Sequence, residues 1–293
     1  MTLCIAAICD DNEGTDPKIV LCSDLERGIE GIGSSETEDK VGFVRPGWPA
    51  LIAGTISKAN ELLAVYAGYL SKHFTEIDEF NLLDHLRKPT HLQKEGLVNH
   101  YLQQTFAFSR DYFYKHGKAK FPESFVSAQE DVISRIKLDA SLIIAGFAEQ
   151  IDFVDNIKSP RPFLCVVDDL RADDVALEFE YDAIGSGNHT ALSTLFRREQ
   201  DSVNSLAKTL YNVYEANCLS DKVPGVGKKY INIAILYSDG KLRSLSGAGY
   251  EYLGEKFKKK FGPRRIGKGE IEFKEEFVEP FKEKSKPSEA QEI

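Results

Sequence analysis

Four stretches of the chain, residues 3–9, 141–147, 163–167 and 230–237, are apolar at almost every position. A strand with one wet face alternates apolar and polar residues, so strands written this way have to be covered on both faces. The connections then decide how. Residues 10–17 are dense in turn formers and join 3–9 to a second run at 19–24, and Arg45-Pro46-Gly47-Trp48 joins 37–44 to 49–55. Strands linked by turns rather than helices pair antiparallel. Two antiparallel sheets stacked face to face, each with helices on its outer side, satisfy both demands: an α+β fold, a four-layer αββα sandwich.

Between the strand blocks the period changes. Leu62, Leu63, Val65, Tyr66, Tyr69 and Leu70 fall at helical spacing, and the whole span 57–137 reads as helical. Within it the spacing predicts a helix from Glu76 that Pro89 interrupts, a longer helix carrying Tyr101, Phe106, Tyr112 and Phe113, and another over 124–136. Strands follow at 141–147, 163–168 and 177–184, then a tight Gly185-Ser186-Gly187 turn, helices at 189–197 and 203–217, and a hairpin of 230–237 with 242–245 across Ser238-Asp239-Gly240-Lys241. Residues 1–253 are thus expected to form one domain. Residues 254–293 mix Lys and Glu with Gly and Pro, the composition of a solvated, partly disordered tail.

A formal net charge of -9 argues against a nucleic-acid surface. Five cysteines leave one unpaired in any disulfide scheme, and four of them sit in apolar runs, which points to a reducing cytoplasm. No run approaches the ~20 apolar residues of a spanning helix, and the apolar start is short and lacks a basic leader, so neither membrane insertion nor export is expected.

The chemistry begins at Thr2. Removal of Met1 would make it the chain's N-terminus, with a side-chain hydroxyl to attack a carbonyl and an α-amino group to take the proton. Further on stand Asp24, ending Val20-Leu21-Cys22-Ser23-Asp24; Lys40, ending Thr37-Glu38-Asp39-Lys40; and Gly54 in Leu51-Ile52-Ala53-Gly54-Thr55. With the block Leu142-Ile143-Ile144-Ala145-Gly146-Phe147 and the turn Ala183-Ile184-Gly185-Ser186-Gly187, this order resembles the proteasome β-type subunits. That family belongs to the N-terminal nucleophile hydrolases and includes the bacterial HslV and Anbu proteins. The intervals from Asp24 to Lys40 and from Lys40 to Gly54, 16 and 14 residues, are similar to the family's spacing. The resemblance covers roughly residues 2–70 and 140–245. Asp221-Lys222-Val223-Pro224-Gly225 departs from the family's Asp-x-x-Ser-Gly by placing Pro224 at the serine.

The resemblance implies roles. Thr2 would be nucleophile and, through its amine, base; Lys40 would favour the deprotonated forms; Asp24 would hold Lys40 charged and aimed; the Gly54 N–H would stabilise the oxyanion; Ser186 and Asp221 would support the nucleophile. His73, His85, His91, His100, His116 and His189 form no metal-ligand motif, so neither metal nor cofactor is expected. The implied activity is amide-bond hydrolysis, as a threonine peptidase acting on peptides or unfolded polypeptides within a ring-like homo-oligomer, with any ATPase regulator left open. A small-molecule amidase and a catalytically silent scaffold of the same fold are the alternatives. Tyr101, Phe106, Phe108, Tyr112, Phe113 and Tyr114 offer aromatic surface to subunit contacts, or else a thick internal helix layer.

Overall fold

The computed structural model describes residues 3–11, 16–24, 27–29, 33–35, 40–73, 75, 77–151, 158–169, 175–221, 231–259, 266 and 269–281. Strands β1 (Leu3–Asp10) and β2 (Pro17–Asp24) form the expected hairpin. A short ribbon, β3 (Arg27–Ile29) with β4 (Gly33–Ser35), follows, and then the hairpin of β5 (Val41–Arg45) and β6 (Trp48–Gly54). β7 (Ala140–Ile151), β8 (Lys158–Val167) and β9 (Val175–Glu178) extend that hairpin into a sheet of order β5-β6-β7-β8-β9. β10 (Tyr181–Gly185), β11 (Ile231–Tyr237), β12 (Leu242–Leu245) and β13 (Val278–Pro280) join the first hairpin in the order β10-β1-β2-β11-β12-β13. Every pairing in both sheets is antiparallel.

The apolar runs are explained by three cores, one between the sheets and one on the outer face of each. Along β1, Cys4, Ala6 and Ile8 face the second sheet and pack with Leu51, Ile143, Ala145, Leu164 and Val166. Leu3, Ile5 and Ala7 face the other way, against Ala191 and Leu195 of α5 (Asn188–Arg197) and Leu210 and Val213 of α6 (Leu206–Ser220). The outer face of the second sheet carries Leu142, Ile144 and Cys165. It is covered by Leu62, Tyr66 and Leu70 of α1 (Ile56–His73) and Leu86 of α2 (Leu82–Phe106). Helices, sheet, sheet, helices is therefore the order of layers. Each Leu or Ile so enclosed contributes about 1.5–3 kcal/mol, which makes a polar residue on either face of β1 costly. Among the described residues no helix is long and apolar enough to cross a membrane.

Four expectations need correction. Pro89 does not interrupt its helix: it lies buried inside α2, where Tyr66 Oη donates to the Leu86 carbonyl at 2.7 Å and sits 2.8 Å from Thr90 Oγ1. Packing on α1 outweighs the backbone hydrogen bond that proline forfeits. The aromatic stretch is two helices, α2 and α3 (Arg110–Lys120), because Ala107 turns left-handed at φ 57° and the Ser109 side chain caps α3 by accepting from Tyr112 N–H. Most of its rings turn inward, although Tyr114 stays 52% exposed. Phe113 is buried with Leu102 and with Val126 of α4 (Glu123–Ser134), while Tyr101, Phe106, Phe121 and Phe125 close over them, so a satellite core uses most of the surface that subunit contacts were expected to take.

The run at 177–184 is not one strand. It breaks at Phe179–Glu180, leaving β9 in one sheet and β10 in the other, and the Glu180 carbonyl accepts from Ile8 N–H at 2.7 Å. Nor does the folded part end at 253. Helix α7 (Gly247–Lys258) runs through that boundary, Ile266, Ile271 and Phe277 are buried in the outer core, and β13 pairs with β12. Ser246 caps α7 through its side chain and also holds the returning segment, its N–H donating to the Phe277 carbonyl at 2.7 Å. Phe277→Ala is accordingly expected to cost about 3–5 kcal/mol in urea unfolding, as for a buried aromatic; a loss below ~1 kcal/mol would mean that this segment is no part of the core.

Candidate active site

Asp24 ends β2 where that strand is flanked by β1 and β11, its register partner in β11 being Ile231. The residue is fully buried. A buried carboxylate requires donors, and among the described residues two meet on one oxygen: Asp24 Oδ1 accepts from the Leu3 backbone N–H at 3.1 Å and from Lys40 Nζ in a short ion pair. Two hydrogen bonds to one atom hold the ammonium and the Leu3 nitrogen within about 6 Å of each other. That nitrogen is the atom through which residue 2 joins the strand.

Lys40 reaches Asp24 from the other sheet. It directly precedes β5, and its carbonyl accepts from Ile52 N–H at 3.0 Å, so the pairing with β6 fixes its backbone. The side chain is itself buried, at 7% exposure, which is tolerated because Asp24 neutralises it. Gly54 ends β6 at the same end of that sheet, two residues beyond Ile52. Its φ of +91° and the approach of the Asp139 carbonyl, 2.8 Å from where a Cβ would sit, exclude any other residue without a backbone shift. Thr55 N–H donates to the same Asp139 oxygen at 3.0 Å, and the chain turns into α1.

Two further elements arrive at this end of the first sheet. Gly185, left-handed at φ +95°, is the register partner of Leu3, and the exposed Ser186 follows it. Ser220, the last residue of α6, donates through Oγ to the Ala216 carbonyl at 2.8 Å and stands 3.4 Å from the Gly187 carbonyl. Asp221, next in sequence, is thereby brought to the 185–187 turn. Of the predicted residues, then, Asp24 and Lys40 are in contact, and Gly54, Ser186 and Asp221 come from segments that reach the same end of the sandwich. Thr2, Met1 and Pro224 lie outside the described residues.

Sequence reasoning missed the Leu3 N–H, because a backbone donor leaves no residue-type signal. Cys4, two residues beyond Thr2, is also a nucleophile by residue type, and the geometry decides against it. Cys4 is fully buried between the sheets with Sγ 3.4 Å from the Ile52 carbonyl oxygen, and burial, reinforced by the Asp24 charge, pushes its pKa up to about 12. Among the described residues no group of three or more His, Cys, Asp or Glu is placed to hold a metal ion. The chain matches no known family model, and no curated protein is significantly similar to it.

A thiol whose pKa is raised stays neutral until the pH climbs past it, so Cys4 is expected to remain unmodified by a disulfide reagent at pH 8 in the folded chain. Half-buried Cys218, raised by burial to about 11, is expected to react first and slowly. Rapid labelling of Cys4 before unfolding would contradict this packing.

Proposed function

We propose that the chain is an N-terminal nucleophile hydrolase of the proteasome β type, cleaving amide bonds with Thr2 once Met1 has been removed. The observation that carries the reading is the shared Asp24 oxygen. A buried carboxylate holding both a lysine and the peptide nitrogen beside residue 2 is a costly arrangement for a mere strand end, and a purposeful one for activating whatever precedes Leu3.

In this mechanism Thr2 Oγ attacks the substrate carbonyl while its proton passes to the Thr2 α-amino group. The C–O bond forms, the carbonyl π electrons move onto oxygen, and the Gly54 N–H stabilises that oxyanion, a donor worth ~2.7–4 kcal/mol in the transition state. Collapse expels the amine, which takes the proton from the α-ammonium and leaves an ester on Thr2. Water, deprotonated by the same amine, releases the acid and restores Thr2. Lys40 supplies the positive field that favours a neutral amine and a developing alkoxide. Asp24 is a positioning residue for Lys40, and Ser186 and Asp221 support the nucleophile. The substrate class is peptides or unfolded polypeptides, with a ring-like homo-oligomer restricting access. Phe196 and Val203, 78% and 74% exposed, give the α5–α6 end apolar surface for such contacts in place of the inward-turned aromatics of α2 and α3.

The active protein should have an intact mass lacking Met1. Thr2→Ala, Lys40→Ala and Asp24→Asn should each lower peptide hydrolysis by on the order of a thousandfold, and the triple variant by little more, because the three act as a unit. Full activity in Thr2→Ala, or in protein that retains Met1, would overturn the mechanism. Sedimentation at micromolar concentration showing only a 32.8 kDa particle would remove the ring while leaving the chemistry standing.

A further inference from the structure

Two surface elements at opposite edges of the molecule carry opposite charge. In a chain with a formal net charge of -9, helix α3 runs the other way, with Arg110, Lys115, Lys118 and Lys120 against Asp111 alone. Phe113 and Gly117 are its buried residues, so the cations occupy the faces that remain. Arg110, Tyr114 and Lys118 follow one another at four-residue intervals, with the Arg110 guanidinium 5.5 Å from the centroid of the half-exposed Tyr114 ring and Lys115 alongside. Arg110 is paired with Glu95 at 3.2 Å, and Lys120 Nζ donates to the Tyr112 hydroxyl at 2.5 Å. Lys115 and Lys118 are exposed and make no ion pair among the described residues. Glu123 and Glu130 of α4, across a groove from Lys118, bound this basic face.

The segment that follows α7 has the opposite sign. Residues 269–281 hold Glu270, Glu272, Glu275, Glu276 and Glu279 against one lysine, Lys274. Ile271 and Phe277 anchor the segment in the outer core and β13 pairs with β12, which leaves the last four of those glutamates on the surface. Glu275 is paired with Arg243 at 3.1 Å, and Glu276 lies 3.8 Å from Lys274 Nζ. Glu272 and Glu279 make no ion pair among the described residues.

Phe281, at the end of the acidic segment, packs edge-on against Phe43 of β5 with ring centroids 6.1 Å apart, which sets that segment beside the β5 edge of the second sheet. Helix α2, on which α3 and α4 pack, lies over β8 and β9 at the other edge. Four strand spacings, roughly 19 Å, separate the two edges, so the charged faces are complementary between copies rather than within one. A contact that joins opposite edges is head-to-tail, and when repeated it generates a ring if the rotation closes.

We propose that the basic face of α3 in one copy of this chain docks on the acidic 269–281 segment of the next. Exposed ion pairs are individually weak, so what they fix is the direction and register of the contact. The inference rests on the ring-like assembly proposed above and not on the chemistry at Thr2.

Sedimentation velocity of the full-length chain at micromolar concentration is expected to show assemblies at about 0.05 M salt whose association weakens at least about tenfold by about 0.5 M, where screening shortens the range of charge. Lys115→Glu with Lys118→Glu, and separately Glu272→Lys with Glu279→Lys, are each expected to give a monomer of unchanged circular dichroism, since each variant then presents like charges on both faces. Mixed in equal amounts, the two variants are expected to assemble again, because every contact between unlike copies pairs opposite signs. Should either variant misfold, the salt series on the unaltered chain decides alone. Assemblies that survive both high salt and charge reversal would overturn this contact while leaving the ring to another surface, and variants that stay monomeric when mixed would overturn it as well. A 32.8 kDa particle at every salt concentration would remove ring and contact together.

Discussion

Asp24 Oδ1 is the atom on which the two halves of the sandwich converge. It takes a hydrogen bond from the first strand of one sheet, through Leu3 N–H, and an ion pair from Lys40, which precedes the first strand of the other. Removing one partner of a buried ion pair of this kind costs about 3–5 kcal/mol in comparable pairs. Burial on this scale has a positional result: side chains lose their rotamer freedom, and the lysine head is held near the start of the chain rather than in solvent. The proposed chemistry at Thr2 depends on that constraint.

The constraint is affordable because the rest of the fold is built to enclose it. β1 divides its residues between two cores, Cys4, Ala6 and Ile8 to the neighbouring sheet and Leu3, Ile5 and Ala7 to α5 and α6. A strand held on both faces cannot slip by one residue without exchanging those sets, so its register, and with it the position of Leu3 against Asp24 and Gly185, is fixed by packing. The bidentate pair of Arg198 with Glu215, at 2.5 and 2.8 Å, ties the end of α5 to α6 behind this strand. Gln200 reaches through from the same turn to the Ile8 carbonyl at 3.2 Å.

What could be read from residue types was mostly what packing dictates directly. Unbroken apolarity at 3–9 and 141–147 foretold strands covered twice, and the turn-dense loops foretold antiparallel pairing. The readings that missed did so where a local signal competed with a tertiary one. Pro89 reads as a breaker, yet Tyr66 and Thr90 hold its helix together across α1 and α2. The aromatic stretch looked continuous because Ala107 carries no hint of a left-handed turn, although Ser109 before Arg110-Asp111 is a capping signal in plain view. The lysine-rich end obscured Ile266, Ile271 and Phe277, three well-spaced apolar residues too sparse to show a period. At the site, residue types and intervals pointed to Asp24 and Lys40, whereas the Leu3 amide and the cross-sheet approach of Lys40 depend on register, which no single position encodes.

The most direct measurement on the shared carboxylate is the titration of the Thr2 α-amino group, followed by nitrogen NMR in the processed chain and again in Lys40→Met. With the ammonium held where Asp24 places it, the amine is expected to titrate below the ordinary range of about 7.7–8.0 and to move back toward that range when the lysine charge is removed. An amine that titrates in the ordinary range in both proteins would contradict the claim that Asp24 aims Lys40 at the start of the chain.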